Sequence, residues 1–190
     1  HKKFPLLVAA NRDEFYDRVS EASHFWLDKP DLLAGRDVFA NGTWLGISKR
    51  GRFAAITNGI NSKYRHMKKL SRGSIAVDFL AGKLSANQYA REVHSQASNF
   101  NGFHLIVYDM KSMCYVDSDS NILSQEVCQL SPGIYGLSNA GLYSDWPKCE
   151  IGRNRMSEII NSDSFDFKDL IKVISSRKLA SKNQLKKLGL

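Results

Sequence analysis

The 190-residue sequence predicts an α+β protein, a layered sandwich of mainly antiparallel sheets. Three observations predict it. Two pairs of short apolar runs are each joined by a few turn residues, which is hairpin spacing rather than the long crossover that parallel strands require. Helical periodicity with cap residues appears between and after those pairs. No internal repeat or low-complexity linker divides the chain, so a single domain over residues 1–190 is expected.

Taken in order, Phe4-Pro5-Leu6-Leu7-Val8-Ala9-Ala10 reads as a buried strand running straight into Asn11-Arg12-Asp13-Glu14. Such a run is either a solvated turn or a set of polar groups converging at a strand end. The second alternative predicts half-buried, hydrogen-bonded side chains, with Arg12 paired to Asp37 or Glu14, because an unpaired buried charge costs several kcal/mol. Residues 44–48 and 52–57 form a hairpin around Lys49-Arg50-Gly51, with Gly where positive φ is easiest. Ser71 or Ser74 caps a short helix through Leu80, which Gly82 stops. Ser85 caps the next, whose Ala86, Tyr89, Ala90, Val93 and Ala97 make one apolar face. A second hairpin pairs 103–109 with 113–117 around Met110-Lys111-Ser112, and a further strand covers 134–138. Pro147 suits the first turn of a third helix with Asp145 as its cap. A fourth spans about 167–176, with Phe167, Leu170, Ile171 and Ile174 on one face.

Composition is ordinary for a soluble protein, with 43% hydrophobic and 24% charged residues. No apolar run approaches the ~20 residues of a membrane span, and no signal peptide is visible. The chain opens at His1 rather than Met, so its native start is expected upstream. Cys114, Cys128 and Cys149 are an odd set without metal spacing, which favours structural thiols in a reduced, cytoplasmic setting and no metal site. The net charge is +8, and the stretch between Asp37 and Asp78 carries all of it. Lys49, Arg50, Arg52, Lys63, Arg65, Lys68, Lys69 and Arg72 lie there with no acidic residue. Such a block is either a solvated basic loop or an attractor of anionic ligands or a membrane surface. Nucleic acid is not expected, since no RNP-type, helix-turn-helix or zinc pattern accompanies the charge. Trp44, within Gly42-Thr43-Trp44-Leu45-Gly46, and Trp26, within His24-Phe25-Trp26, are either core residues or platforms for a flat ligand. No histidine pairing typical of zinc appears. One axial histidine suffices for haem, and His66 and His24 are the candidates.

The ordered blocks Asn11-Arg12-Asp13-Glu14-Phe15-Tyr16, His24-Phe25-Trp26, Leu33-Ala34-Gly35-Arg36-Asp37, Gly42-Thr43-Trp44-Leu45-Gly46-Ile47, Arg52-Phe53-Ala54-Ala55-Ile56-Thr57-Asn58, Ser71-Arg72-Gly73, Asn101-Gly102-Phe103-His104-Leu105, Tyr135-Gly136-Leu137-Ser138-Asn139-Ala140 and Asp145-Trp146-Pro147-Lys148 closely resemble the NRDE family, also called the Transport and Golgi organization protein 2 family. The resemblance covers roughly residues 4 to 150. It marks Arg36 and Asp37, with Asn11 to Glu14, as motif residues. It also implies the N-terminal nucleophile hydrolase-like fold, a four-layer αββα sandwich, and a family domain that extends beyond both ends of this chain.

Two functions follow from the resemblance. The family has been linked to intracellular haem trafficking, which implies a cargo-binding protein without a catalytic cofactor. The basic residues Lys63, Arg65, Lys68 and Lys69 would meet propionates, and Trp44 or Trp26 the ring. The alternative is a cysteine N-terminal nucleophile amidohydrolase or acyl transferase. There a Cys following the initiator Met supplies the thiolate, and its α-amine, with an unperturbed pKa near 8, is the base. Asn11 and Asp13 match the pair that orients the amine, and Asn139 matches an oxyanion donor. Asn139 alternatively suits a left-handed strand-end turn before Ala140-Gly141. Ala10 stands where those hydrolases carry Arg, a departure from the pattern. A third option, acyl-CoA or lipid handling, would use the basic block for phosphates. The sequence does not set the oligomeric state.

Overall fold

The computed structural model describes residues 3–59, 70–118, 127–162, 164, 166–176 and 181. These fall into two compact units, Glu14–Ser131 and His1–Asp13 with Pro132–Leu190.

Unit Glu14–Ser131 holds the sheet. Its strands are β1 (Ser20–Phe25), β2 (Leu32–Asp37), β3 (Leu45–Ser48), β4 (Phe53–Asn58), β5 (Phe103–Tyr108), β6 (Met113–Asp117) and β7 (Cys128–Leu130). Each pairs antiparallel with the next, so sheet order equals chain order. Helices α1 (Gly73–Ala81) and α2 (Ala86–Ser95) interrupt the meander between β4 and β5, yet those strands still pair over six positions, from Phe53 opposite Tyr108 to Asn58 opposite Phe103. The α+β class and antiparallel pairing are as the sequence predicts. The described residues form one sheet, and the second sheet of a four-layer sandwich is not among them.

Both expected hairpins are present. Gly51 takes φ +77°, and its amide donates to Ser48 O at 2.9 Å. In the second turn it is Met110 that takes φ +72°. A non-glycine residue pays for that backbone conformation, and here Asp109 compensates. Its Oδ1 accepts from the amides of Lys111 and Ser112 at 3.0 and 2.8 Å. Its Oδ2 accepts from the Ala86 amide at 2.7 Å, tying the turn to the first residue of α2.

One face of the sheet is packed under the two helices. Leu32, Ala34, Ala54, Ile56, Leu105, Val107, Cys114 and Val116 meet Ile75, Ala76, Phe79 and Leu80 of α1 and Ala86, Tyr89, Ala90 and Val93 of α2. Gly46 admits α1 closely, since a Cβ there would lie 2.8 Å from Leu80 Cδ1. The Tyr89 hydroxyl donates to Ile75 O at 2.6 Å, joining the helices. On the other face lies the cross-strand row Phe25, Leu33, Ile47, Phe53, of which Phe25 and Ile47 are exposed, Leu33 half-buried and Phe53 buried.

Helix ends follow local chemistry. Ser85 and Gln88 make the expected capping box on α2. At α1 the cap residue is Arg72, which makes no side-chain cap bond, while Ser71 Oγ accepts from the Gly73 amide at 3.3 Å.

The unit of residues 1–13 and 132–190 holds α3 (Pro147–Asn161) and α4 (Phe167–Ile174). Pro147 opens α3 as expected, but the cap is Trp146 without a side-chain bond, so Asp145 does not cap it. Phe167 and Ile171 of α4 are exposed and Val173 is its buried residue, a rotation of the predicted face. The strand expected over 134–138 is absent. Gly136 falls inside it, Ser138 makes an isolated bridge to Gly141, and β7 lies earlier, at Cys128–Leu130. The strand expected over Phe4–Ala10 is also absent. Among the described residues no strand pairs with it, and Pro5 removes a ladder donor. Its fixed point is the Phe4 ring, edge-on to Phe167 at 5.4 Å.

Candidate functional site

The motif Asn11-Arg12-Asp13-Glu14 is exposed throughout, which corrects the expectation of half-buried side chains. Among the described residues no strand precedes it. Asn11 Nδ2 donates to Ile174 O at 2.9 Å, satisfying a carbonyl at the open C-terminal end of α4. Glu14 Oε1 accepts from the Phe15 amide at 3.0 Å. Among the described residues Arg12 makes no ion pair. The partner of Asp37 is Arg18, whose Nε and Nη2 donate to Asp37 Oδ2 at 2.9 and 2.6 Å. The register explains this: Ser20 sits opposite Asp37, so Arg18, just before β1, is within reach while Arg12 is six residues farther away.

Asp37 is a junction. Its Oδ1 accepts from the amides of Phe39 and Ala40 at 3.0 and 3.1 Å, closing the turn that leads to Gly42-Thr43-Trp44. Partial burial works against its charge, but Arg18 and those two amides outweigh it and hold the carboxyl below its ordinary range. Arg36, its motif neighbour, donates to both oxygens of Asp28 at 2.7 and 3.2 Å and lies 4.3 Å above the Trp26 ring. Trp26 itself is 1% exposed, and its indole donates to Ala34 O at 3.0 Å. It is a core residue, with no face open for a ligand. Trp44 is half-buried against the core, with Thr43 anchored by its amide to Gly73 O at 3.3 Å.

The basic block divides. Arg52 is buried, lies 3.8 Å over the Phe79 ring, and donates to Phe79 O and Leu84 O at 2.8 and 2.7 Å. Arg50 donates to Leu80 O and Ala81 O at 3.3 and 2.7 Å. Together they satisfy the carbonyl end of α1, where cations also oppose the helix dipole. Arg72 is half-buried and donates to Gly102 O at 3.0 Å. Burial lowers its pKa, as does nearby Arg18, against Glu14. Lys49 lies 4.8 Å over the Phe25 ring. Lys63, Arg65, His66, Lys68 and Lys69 lie outside the described residues.

The carbonyl contacts of Arg50, Arg52 and Arg72, together with the Arg18–Asp37 pair, were not read from the sequence. The Arg50-x-Arg52 spacing at a hairpin turn followed by a short helix was the available signal, and Glu14 to Arg18 at i, i+4 was another.

Asn11, Arg12, Asp13 and Asn139 fall in one unit, and Glu14, Trp26, Arg36, Asp37 and Trp44 in the other. Asn139 is half-buried beside Ser138, whose hydroxyl lies 3.0 Å from that of Ser144. Ser144 in turn reaches Cys149 Sγ at 4.0 Å. Cys149 and Cys114 are buried, Cys128 is half-buried, and burial raises the Cys114 thiol. His24 Nδ1 lies 2.8 Å from Ala22 O, and buried His104 Nδ1 lies 2.9 Å from the Tyr115 hydroxyl. Among the described residues no cluster of His, Cys, Asp or Glu is arranged to hold a metal, and no helix is long and apolar enough to cross a membrane.

The fold and these placements define an α+β protein built on an antiparallel meander, with an exposed Asn-Arg-Asp-Glu motif and an arginine-capped helix. The profile of the family described as Transport and Golgi organisation 2 matches residues 1–190. The chain is 34% identical over 176 residues to the Transport and Golgi organization 2 homolog of Mus musculus, covering 88% of this chain and 62% of that protein. It is 36% identical over 165 residues to the homolog of Bos taurus, covering 83% and 58%. An uncharacterized protein of Saccharomyces cerevisiae is 29% identical over 216 residues. This chain belongs to the Transport and Golgi organisation 2 family. It spans about six-tenths of the length of the mouse and cattle relatives.

Proposed function

We propose that this chain is the cargo-binding part of a haem-trafficking protein, holding a planar amphipathic anion and passing it on. The observation that carries this is the division of the basic block. Arg50, Arg52 and Arg72 bond to backbone carbonyls, and Lys63, Arg65, Lys68 and Lys69, in a stretch without one acidic residue, would supply the charge for an anionic ligand. Trp44, at the edge of the core, is the aromatic that remains for the ring, since Trp26 is enclosed. A carrier needs release as well as capture, so its affinity must leave the off-rate fast. Titration of haem into the full-length protein tests this through the Soret band. A saturable shift is expected, weakened when Lys63, Arg65, Lys68 and Lys69 are neutralised together. The absence of saturation, or a shift indifferent to those substitutions, would remove the proposal. Competition by an acyl-CoA distinguishes the acyl-CoA reading: displacement of haem at similar concentration would favour a general amphipathic-anion site and a peripheral role at membranes.

A second reading has a specific observation behind it: Asn11, Asp13 and Asn139 share one compact unit. If the gene product begins Met-Cys, Asp13 would orient the exposed α-amine, the amine would take the thiol proton, and the thiolate would attack an amide or thioester carbonyl. Asn139 would then stabilise the tetrahedral oxyanion. Loss of such a donor costs roughly 10²–10³ in turnover. Asn139→Ala should therefore nearly abolish hydrolysis while leaving the haem titration unchanged. Any other residue after the initiator Met ends this reading.

A further inference from the structure

We draw no further inference here: the strongest candidate, the sheet face turned away from α1 and α2 with Phe25 and Ile47 exposed on it, carries none because nothing in the structure shows what covers it.

Discussion

Arg52 is the residue whose environment most constrains it. Its guanidinium is buried, and its partners are backbone carbonyls rather than carboxylates. Arg52→Ala should cost about 2–3 kcal/mol, because two acceptors lose their donors and the Phe79 ring loses its cover. Urea denaturation measures this, and a loss under half a kilocalorie would show that water replaces the guanidinium. Arg52→Lys should recover only part of it, since an ammonium cannot span Phe79 O and Leu84 O together. Asp37 sets a different test. Its folded pKa lies below the unfolded value near 3.9, so its stabilisation is fully present above that value. It is lost as pH falls through the lower folded value. Asp37→Asn should therefore lose roughly 1 kcal/mol at pH 7 and flatten the acid limb of the stability curve below about pH 4. An unchanged acid limb would show that Arg18 and the two turn amides do not favour the carboxylate.

At the level of elements, α1 and α2 are held by contacts at their ends as well as by their apolar faces. The start of α1 lies against the turn before Trp44, where Gly42 and Gly73 meet. A Cβ on Gly42 would fall 2.7 Å from the Gly73 carbonyl carbon, and both sides are backbone. Gly42→Ala should destabilise by about 2 kcal/mol or more, whereas Gly152→Ala, whose Cβ would sit 3.9 Å from Val173, should be tolerated. Thermal unfolding of the pair checks this, and equal effects would mean the α1 contact yields. The Asp109 carboxylate links the β5–β6 turn to α2. Partial burial opposes its charge, but the Ala86, Ser112 and Lys111 amides prevail and hold its pKa low. Asp109→Ala removes acceptors from three amides and leaves Met110 strained, so its cost should exceed the ~1 kcal/mol of a Ser85→Ala cap loss. The reverse order would show that the capping box outweighs the Asp109 contacts in holding α2.

For the molecule as a whole, the net charge of +8 is matched by the acid-free stretch between Asp37 and Asp78. Among the described cations of that stretch, Arg50, Arg52 and Arg72 bond to backbone carbonyls, so their removal should be read first as a folding defect. In the haem-carrier proposal, Lys63, Arg65, Lys68 and Lys69 act on ligand affinity. If that proposal holds, neutralising Lys63, Arg65, Lys68 and Lys69 weakens haem binding and its salt dependence together, while the urea midpoint stays unchanged. A fall in the midpoint equal to that of Arg52→Ala would place these residues in the scaffold instead.

The two hairpins, the α2 capping box and the proline start of α3 were legible because each depends on neighbours within a few residues. Turn glycines, cap hydroxyls and helical spacing act locally, and the antiparallel α+β class follows from them. The family was legible for a related reason, since ordered motif blocks are carried in the chain itself. The strands at Ser20–Phe25 and Leu32–Asp37 were not, because β1 is almost wholly exposed and lacks apolar alternation. Phe4–Ala10 carried a strand's composition, and among the described residues no strand pairs with it. The same limit governed the site. Whether Arg12 or Arg18 meets Asp37, whether Trp26 is open or enclosed, and whether Arg50 and Arg52 face a ligand or a helix end depend on strand register and on residues tens of positions away. Charge and aromaticity are properties of a residue, but their availability is decided only by what tertiary packing places against them.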